Sequence, residues 1–409
     1  MASPASNDKQ QLAAIVGLLV LSLALRPAIV SIGPILLEIQ RHFALSFTQA
    51  ALLTAIPDVC MGVMALLAPA LARRLGSDRC VVAALALLGM AGVLRAVADS
   101  VPLLLLGTLL VSIGIAIAGA LIGGWIKTHF PHRPALFMGI YAAGLSVGAS
   151  LSAVFTAPIS ELAQSWRAGA GIWSLLSVSA VISWLWMARR FALAPAAAAN
   201  SNRQPARLPW RNPLAWRVAL HFGASQFVVY ALFAWLAPAS TERALTTLPA
   251  GILLGLFTAV FAVASAAAGV LPGSGSDRRA ALGLSNLVAL AGVAGMAFAP
   301  AAAPTLYVLL VASGLGVGFT LGMTLPLDNA DNPAQAGAWT VFMLFVGYLV
   351  AALGPICFGA LRDHSGNHDL GFFMLVAVLA AMLCLVPALK PAQAEEPGNA
   401  CRLTEANRP

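Results

Sequence analysis

The sequence is built of apolar blocks of roughly 20 residues, each long enough as a helix to cross about 30 Å of hydrocarbon. They fall near residues 12–37, 48–72, 79–98, 102–125, 135–159, 168–188, 213–237, 249–271, 281–299, 304–326, 337–361 and 370–389. Lipid offers no hydrogen-bond partner to a backbone, so such blocks span as helices, which satisfy their own N–H and C=O groups. The composition agrees. Only 9% of the 409 residues are charged and 60% are hydrophobic, whereas soluble globular chains carry about 25% charged residues. A water-soluble enzyme, a nucleic-acid binder and a disordered chain are all excluded. The fold class is an all-α membrane protein of twelve transmembrane helices.

The net charge of +8 is mostly a sidedness signal. Twelve crossings put both termini on one side. Sixteen Lys and Arg fall in segments on that side and four on the other. The positive-inside rule makes the basic side cytoplasmic, which predicts a multi-pass protein of the bilayer with both termini cytoplasmic, its basic excess a topology signal and not a nucleic-acid footprint. Three arginines remain inside the spans: Arg26, Arg95 and Arg217.

The five cysteines (Cys60, Cys80, Cys357, Cys384, Cys401) form no C-x-x-C pair, so neither a disulfide framework nor a metal site is expected. The first apolar helix is too long for a signal-peptide core and no A-x-A site follows it, so it reads as retained. The longest polar break runs from Arg189 to Asn212 and divides the helices six and six. The expected organisation is an N-terminal six-helix half (1–190), a flexible cytoplasmic linker (191–212), a C-terminal six-helix half (213–391) and a cytoplasmic tail (392–409).

The halves echo each other. Gly76-Ser77-Asp78-Arg79 follows helix two, and Gly275-Ser276-Asp277-Arg278 follows helix eight, 199 residues later. Two readings stand: helix caps with a topology arginine, or duplicated gating loops formed by Arg73, Arg74, Gly76, Asp78 and Arg79 and by Gly275, Asp277 and Arg278. Two like-oriented six-helix halves are the arrangement of a parallel-repeat secondary transporter. Helices four and ten also carry Gly119-x-x-x-Gly123 and Gly318-x-x-x-Gly322, which read as close-packing surfaces.

Several segments carry a family resemblance. Leu25-Arg26-Pro27 and Ser31-Ile32-Gly33-Pro34 open it, followed by Leu45-Ser46-Phe47, Ala51-Leu52-Leu53-Thr54-Ala55-Ile56-Pro57, Ile126-Lys127, Phe130 and Met138-Gly139. Tyr230, Trp235-Leu236-Ala237-Pro238, Leu327-Asp328, Ala336-Gly337 and Gly354-Pro355 continue it in the second half. Nearly the whole chain resembles the cyanate permease / 2-nitroimidazole transporter family of the major facilitator superfamily. The resemblance implies two pseudo-symmetric six-helix halves, a rocker-switch mechanism in a bacterial inner membrane, and transport of small solutes, with anions such as cyanate as the named class. The superfamily loop pattern G-x-L-A-D-R-x-G-R-R stands here as Pro69 to Asp78, with Arg73 in the acidic position.

Arg26 is the sharpest single candidate. A mid-span arginine costs at least about 2.5–3.5 kcal/mol to insert, so it must face a cavity or a partner. Pro27 beside it removes a backbone donor and can kink the helix. Its guanidinium fork suits a small planar anion; the alternative is a structural arginine paired with Asp58 or with backbone carbonyls. Asp58, ten residues into helix two, reads either as that counter-charge or as a proton carrier. Arg95 stands four residues before Asp99, spaced for an interfacial pair on one helix face or placed to snorkel to the outer surface, with attraction of anions at the outer mouth as the other reading. Gln226 and Tyr230 share a face of helix seven, and Tyr141 lies in helix five; each reads as a substrate contact or as an interhelical hydrogen bond. His221 lies about 140° round the helix from Gln226, so it is expected to face elsewhere.

Gly144-Leu145-Ser146-Val147-Gly148 matches the hydrolase G-x-S-x-G pattern, but no strand precedes it to build a nucleophile elbow. Walker A, H-E-x-x-H and a dinucleotide fingerprint are absent from the sequence. No cofactor is expected, and an intramembrane enzyme or a signalling receptor has no residues to support it. The expectation is a secondary transporter, a monomer, moving a small anion such as cyanate by alternating access. Proton coupling in a symporter and proton-driven export of nitroimidazole-like drugs remain as open variants.

Overall fold

In the computed structural model the described residues are 4–191, 207–243, 248–270, 278–330 and 332–389. Among them are twelve helices long and apolar enough to cross a membrane. They match the twelve apolar blocks one for one: Gln11–Val30, Phe47–Leu75, Ser77–Ala96, Val101–His129, Leu136–Leu162, Trp166–Arg189, Pro213–Glu242, Ala250–Gly269, Arg279–Phe298, Pro304–Asp328, Gln335–Ser365 and Asp369–Leu389. We refer to these as the first to twelfth spans, the first taken to include the whole run of helix from Pro4 to Phe43. Residues 192–206, 271–277 and 390–409 lie outside the described set, and with them Gly275, Asp277, Cys401, most of the linker and the tail.

The helix ends follow local chemistry. Ser46 caps the second span in a capping box with Gln49, satisfying two donors that a bare helix start would leave free. Asn212 accepts from the backbone N–H groups of Leu214 and Ala215 to start the seventh. Gly76 ends the second span at φ 88°, a backbone region that suits glycine.

Packing repeats with an offset of six spans. The second span packs on the fourth and the eighth on the tenth; the first packs on the fifth and the seventh on the eleventh; the third packs on the fourth and sixth, and the ninth on the tenth and twelfth. Between the halves the second span meets the eleventh, and the fifth meets the eighth. That repetition is the pseudo-symmetry announced by the duplicated Gly-Ser-Asp-Arg. The seventh span is the innermost, with 89% of its most apolar window buried against 33–67% elsewhere.

The halves meet through backbone contact at small residues, as membrane helices do when packing rather than water drives them together. Gly33 of the first span sits on the Phe233 carbonyl, where an added Cβ would be 2.3 Å from the oxygen. Gly359 of the eleventh span sits on the Phe47 carbonyl at 2.7 Å by the same measure. The expected Gly119-x-x-x-Gly123 packing surface is not one. A Cβ at Gly119 would meet only the Tyr141 hydroxyl, at 3.7 Å, and one at Gly123 would meet nothing within 4 Å. The close approach in the fourth span is made instead by Gly107 and Gly114, against the third.

Candidate functional site

The first span is not one helix. It runs as Pro4–Leu25, Pro27–Val30 and Ile32–Phe43, with breaks at Arg26 and Ser31. The prolines account for them: Pro27 and Pro34 each lack the N–H that would close a turn. A break at mid-depth in a membrane helix is tolerated where protein lines it, and it frees Arg26 to turn toward the other half.

There Arg26 Nη1 donates to the Tyr230 hydroxyl at 3.2 Å, a bond between the halves. Tyr230 in turn reaches Met61 Sδ of the second span at 4.0 Å and lies beside Tyr348. The rings of Tyr230 and Tyr348 lie 6.3 Å apart, near perpendicular. Tyr141 of the fifth span is within electrostatic reach of Arg26. The chain has four tyrosines, and three of them surround one guanidinium. Tyr230 is fully buried, while Arg26, Tyr141 and Tyr348 keep part of their surface accessible.

Asp58 is fully buried in the second span. Neither carboxylate oxygen has a hydrogen-bond partner, and among the described residues it makes no ion pair. It is near enough to Arg26 to feel its charge, but the guanidinium bonds Tyr230. The structural reading, in which Asp58 neutralises Arg26 by direct pairing, is therefore not what the geometry shows. Gln226, one turn before Tyr230, is buried with its Oε1 unpartnered. Taken upward from the residues, the centre offers a guanidinium, three phenols, a buried carboxyl and an amide. A donor-rich set of this kind holds an anion or a polar planar molecule.

The remaining candidates lie elsewhere. Arg95 does not pair with Asp99: it is 2% exposed and donates through Nη1 to the Ala28 carbonyl at 3.0 Å. Asp99 pairs with Arg167 at 3.0 Å. His221 faces away from the centre, as its helical angle predicts, and bonds Asn286 of the ninth span at 3.1 Å. The two loop motifs hold contacts within their own halves. Asp78 accepts from the Trp125 indole at 2.9 Å, and Arg278 donates to Asp328 at 2.7 Å. Arg73, Arg74 and Arg79 flank that first loop on the basic face.

A second cluster joins the halves at the face opposite the termini, here the far face. Asp363, near the end of the eleventh span, accepts from the backbone N–H groups of Phe47 and Thr48, both at 2.8 Å, and from the Thr48 hydroxyl at 2.6 Å. It thereby caps the start of the second span. Arg362 lies over the Phe47 ring at 4.5 Å and pairs with Glu242 at 3.0 Å. His368, buried beside Phe47 and Trp235, places Nδ1 3.1 Å from the same Glu242 carboxylate. Deeper in, Ser150 of the fifth span bonds Thr258 of the eighth at 2.8 Å.

With this geometry in hand, the comparisons decide the family. The family model of the Major Facilitator Superfamily matches residues 15–355. The chain belongs to the major facilitator superfamily. It is 33% identical over 365 residues to the cyanate transport protein CynX of Escherichia coli K12, covering 88% of this chain and 93% of that one. It is 30% identical over 387 residues to the 2-nitroimidazole transporter of the same organism, covering 94% and 96%. The fold also matches a bacterial homologue of the human lysosomal transporter Spinster, with a TM-score of 0.65 at 18% identity over 95% of both chains. The protein is thus a multi-pass membrane transporter and not an enzyme. Tyr348 and Asp363 were missed by sequence reasoning. Tyr348 carried a usable signal, a hydroxyl at mid-depth of an apolar span; Asp363 lies past the expected end of helix eleven and carried none.

Proposed function

We propose that the protein moves a small planar anion, cyanate or one of similar size and charge, across a bacterial inner membrane by alternating access. The observation that carries this reading is Arg26 at the break of the first span, facing the other half amid Tyr141, Tyr230 and Tyr348. A guanidinium gives an anion two parallel hydrogen bonds, and the phenols add neutral donors. Because Arg26 already bridges the halves through Tyr230, an anion seated there touches both. It can then hold them together in either orientation.

Asp58 is the proton site in this reading. A buried carboxylate with no partner is costly as an anion, and binding a proton removes that cost. A proton on Asp58 leaves Arg26 uncompensated and ready for an anion, which couples entry of the two. Gln226 beside Tyr230 orients the solute. The far-face cluster around Asp363 is the seal of the state seen here. Its bonds join segments that must part when the other face closes.

A second reading, proton-driven export of a nitroimidazole-like molecule, is favoured by one observation: Asp58 stands free of any direct bond to Arg26. One experiment separates the two. The purified protein is reconstituted in liposomes, and uptake of labelled cyanate and of 2-nitroimidazole is followed with and without a pH gradient that is acid outside. The anion reading expects gradient-stimulated cyanate uptake above protein-free liposomes, lost in Asp58→Asn. Transport of 2-nitroimidazole alone would replace it with the second reading.

A further inference from the structure

Among the described residues, Arg95 is the buried arginine that neither the site nor the far-face seal uses. It lies one residue from the end of the third span, is 2% exposed, and among the described residues makes no ion pair. Its Nε has no partner. A buried, unpaired cation is expensive, and an apolar side chain of like volume would fill the same space at lower cost. Its single side-chain hydrogen bond goes to the Ala28 carbonyl, inside the four-residue segment Pro27–Val30 that lies between the two breaks of the first span. The base of the arginine is fixed: Gly107 of the fourth span packs directly on it, its would-be Cβ 3.1 Å from the Arg95 Cα. The side chain therefore runs from a clamped pair of helices to the segment that begins right after Arg26.

We propose that Arg95 is a positioning residue: it pins the Pro27–Val30 segment and so fixes where the break presents the Arg26 guanidinium. The stretch closes its own turn through Ile29, Val30 and Ser31, but Pro27 and Pro34 remove the backbone donors that would join it to the helices on either side, so an outside tether helps fix its direction. A charged donor on a carbonyl is a stronger tether than a neutral one. The proposal rests on Arg26 as the substrate residue only for its transport consequence. The tether itself is a statement about the backbone.

The test uses the full-length protein with Arg95→Met, which keeps the volume, and Arg95→Lys, which keeps a charged donor. Hydrogen–deuterium exchange reads the amides of residues 28–33, and proteoliposome uptake of cyanate reads KM and maximal rate separately. In Arg95→Met the expected result is faster exchange confined to residues 28–33. The cyanate KM rises roughly ten- to hundredfold, as for a misplaced binding group, with little change in maximal rate. Arg95→Lys restores most of both. Unchanged exchange at 28–33 in Arg95→Met overturns the proposal. Faster exchange spread through the third and fourth spans with KM unchanged also overturns it, since that marks packing alone. If the wild type takes up no cyanate, the substrate reading fails by itself, and the exchange result alone upholds or overturns the tether.

Discussion

At the residue scale the protein shows how few polar groups a membrane transporter needs. Arg26, Asp58, Tyr230 and Gln226 were legible in the sequence because a charged or amide group at mid-span is costly and must face protein. Their partners were not legible, since partners are set by the breaks and tilts of the helices. Arg95 shows the same limit. The four-residue spacing to Asp99 pointed to a pair, yet the side chain turns inward to Ala28 and leaves Asp99 to Arg167. Tyr348→Phe removes a hydroxyl from the ring of donors around Arg26 without changing its shape. The loss of one hydrogen bond, about 1 kcal/mol, should raise the cyanate KM roughly fivefold in proteoliposomes, with protein yield unchanged. His368 supplies a pH prediction. Burial first, then the nearby Arg362 and Arg243, push its imidazole down to about 3. The folded protein holds it neutral, while the unfolded chain takes a proton near pH 6.5. Its contribution to stability is therefore complete above about pH 6.5 and is lost progressively as pH falls toward 3. Thermal unfolding in detergent should show Tm falling across that window, and His368→Gln should flatten the fall.

At the scale of elements, the twelve spans could be read from apolar length alone, because lipid permits almost nothing else. The break of the first span could be read from Pro27. The second break, at Ser31, came from Pro34, whose missing N–H acts a turn earlier than its place in the sequence suggests. The glycine pair of the fourth span was misread because spacing shows which residues share a face but not whether a helix lies against it; in the tenth span Gly318 does face Ser285 and Gly322 faces Phe222. Gly123 faces open space, and Gly107 and Gly114 do the packing. The join between the second and eleventh spans is testable as an element. Asp363→Ala removes the cap from the second span and the bonds that hold it to the eleventh. The cost to this state is roughly 0.5–1.5 kcal/mol, which moves population toward opening at the far face. Spin labels on Arg41→Cys and Asn367→Cys should then show a larger long-distance fraction. An unchanged distance distribution would remove Asp363 from the seal.

At the scale of the molecule, two six-span halves repeat one packing pattern, and the candidate site and the far-face cluster both lie where they meet. Arg26 and Tyr230 join them at mid-depth, and Asp363 with Phe47 and Thr48 joins them at the far face. Low charge content made the chain a membrane protein. The uneven spread of its basic residues made it a sided one. Of the charges left inside the spans, Arg26 and Asp58 lie at the candidate site, while Arg95 bonds the Ala28 carbonyl and Arg217 the Ala388 carbonyl. The central claim is that Arg26 is where the transported anion binds. Its most direct test is initial uptake of labelled cyanate by proteoliposomes holding wild-type protein or Arg26→Gln at equal, verified insertion. The account predicts uptake by the wild type and loss to the protein-free background in Arg26→Gln. Cyanate uptake by Arg26→Gln at the wild-type rate would contradict it.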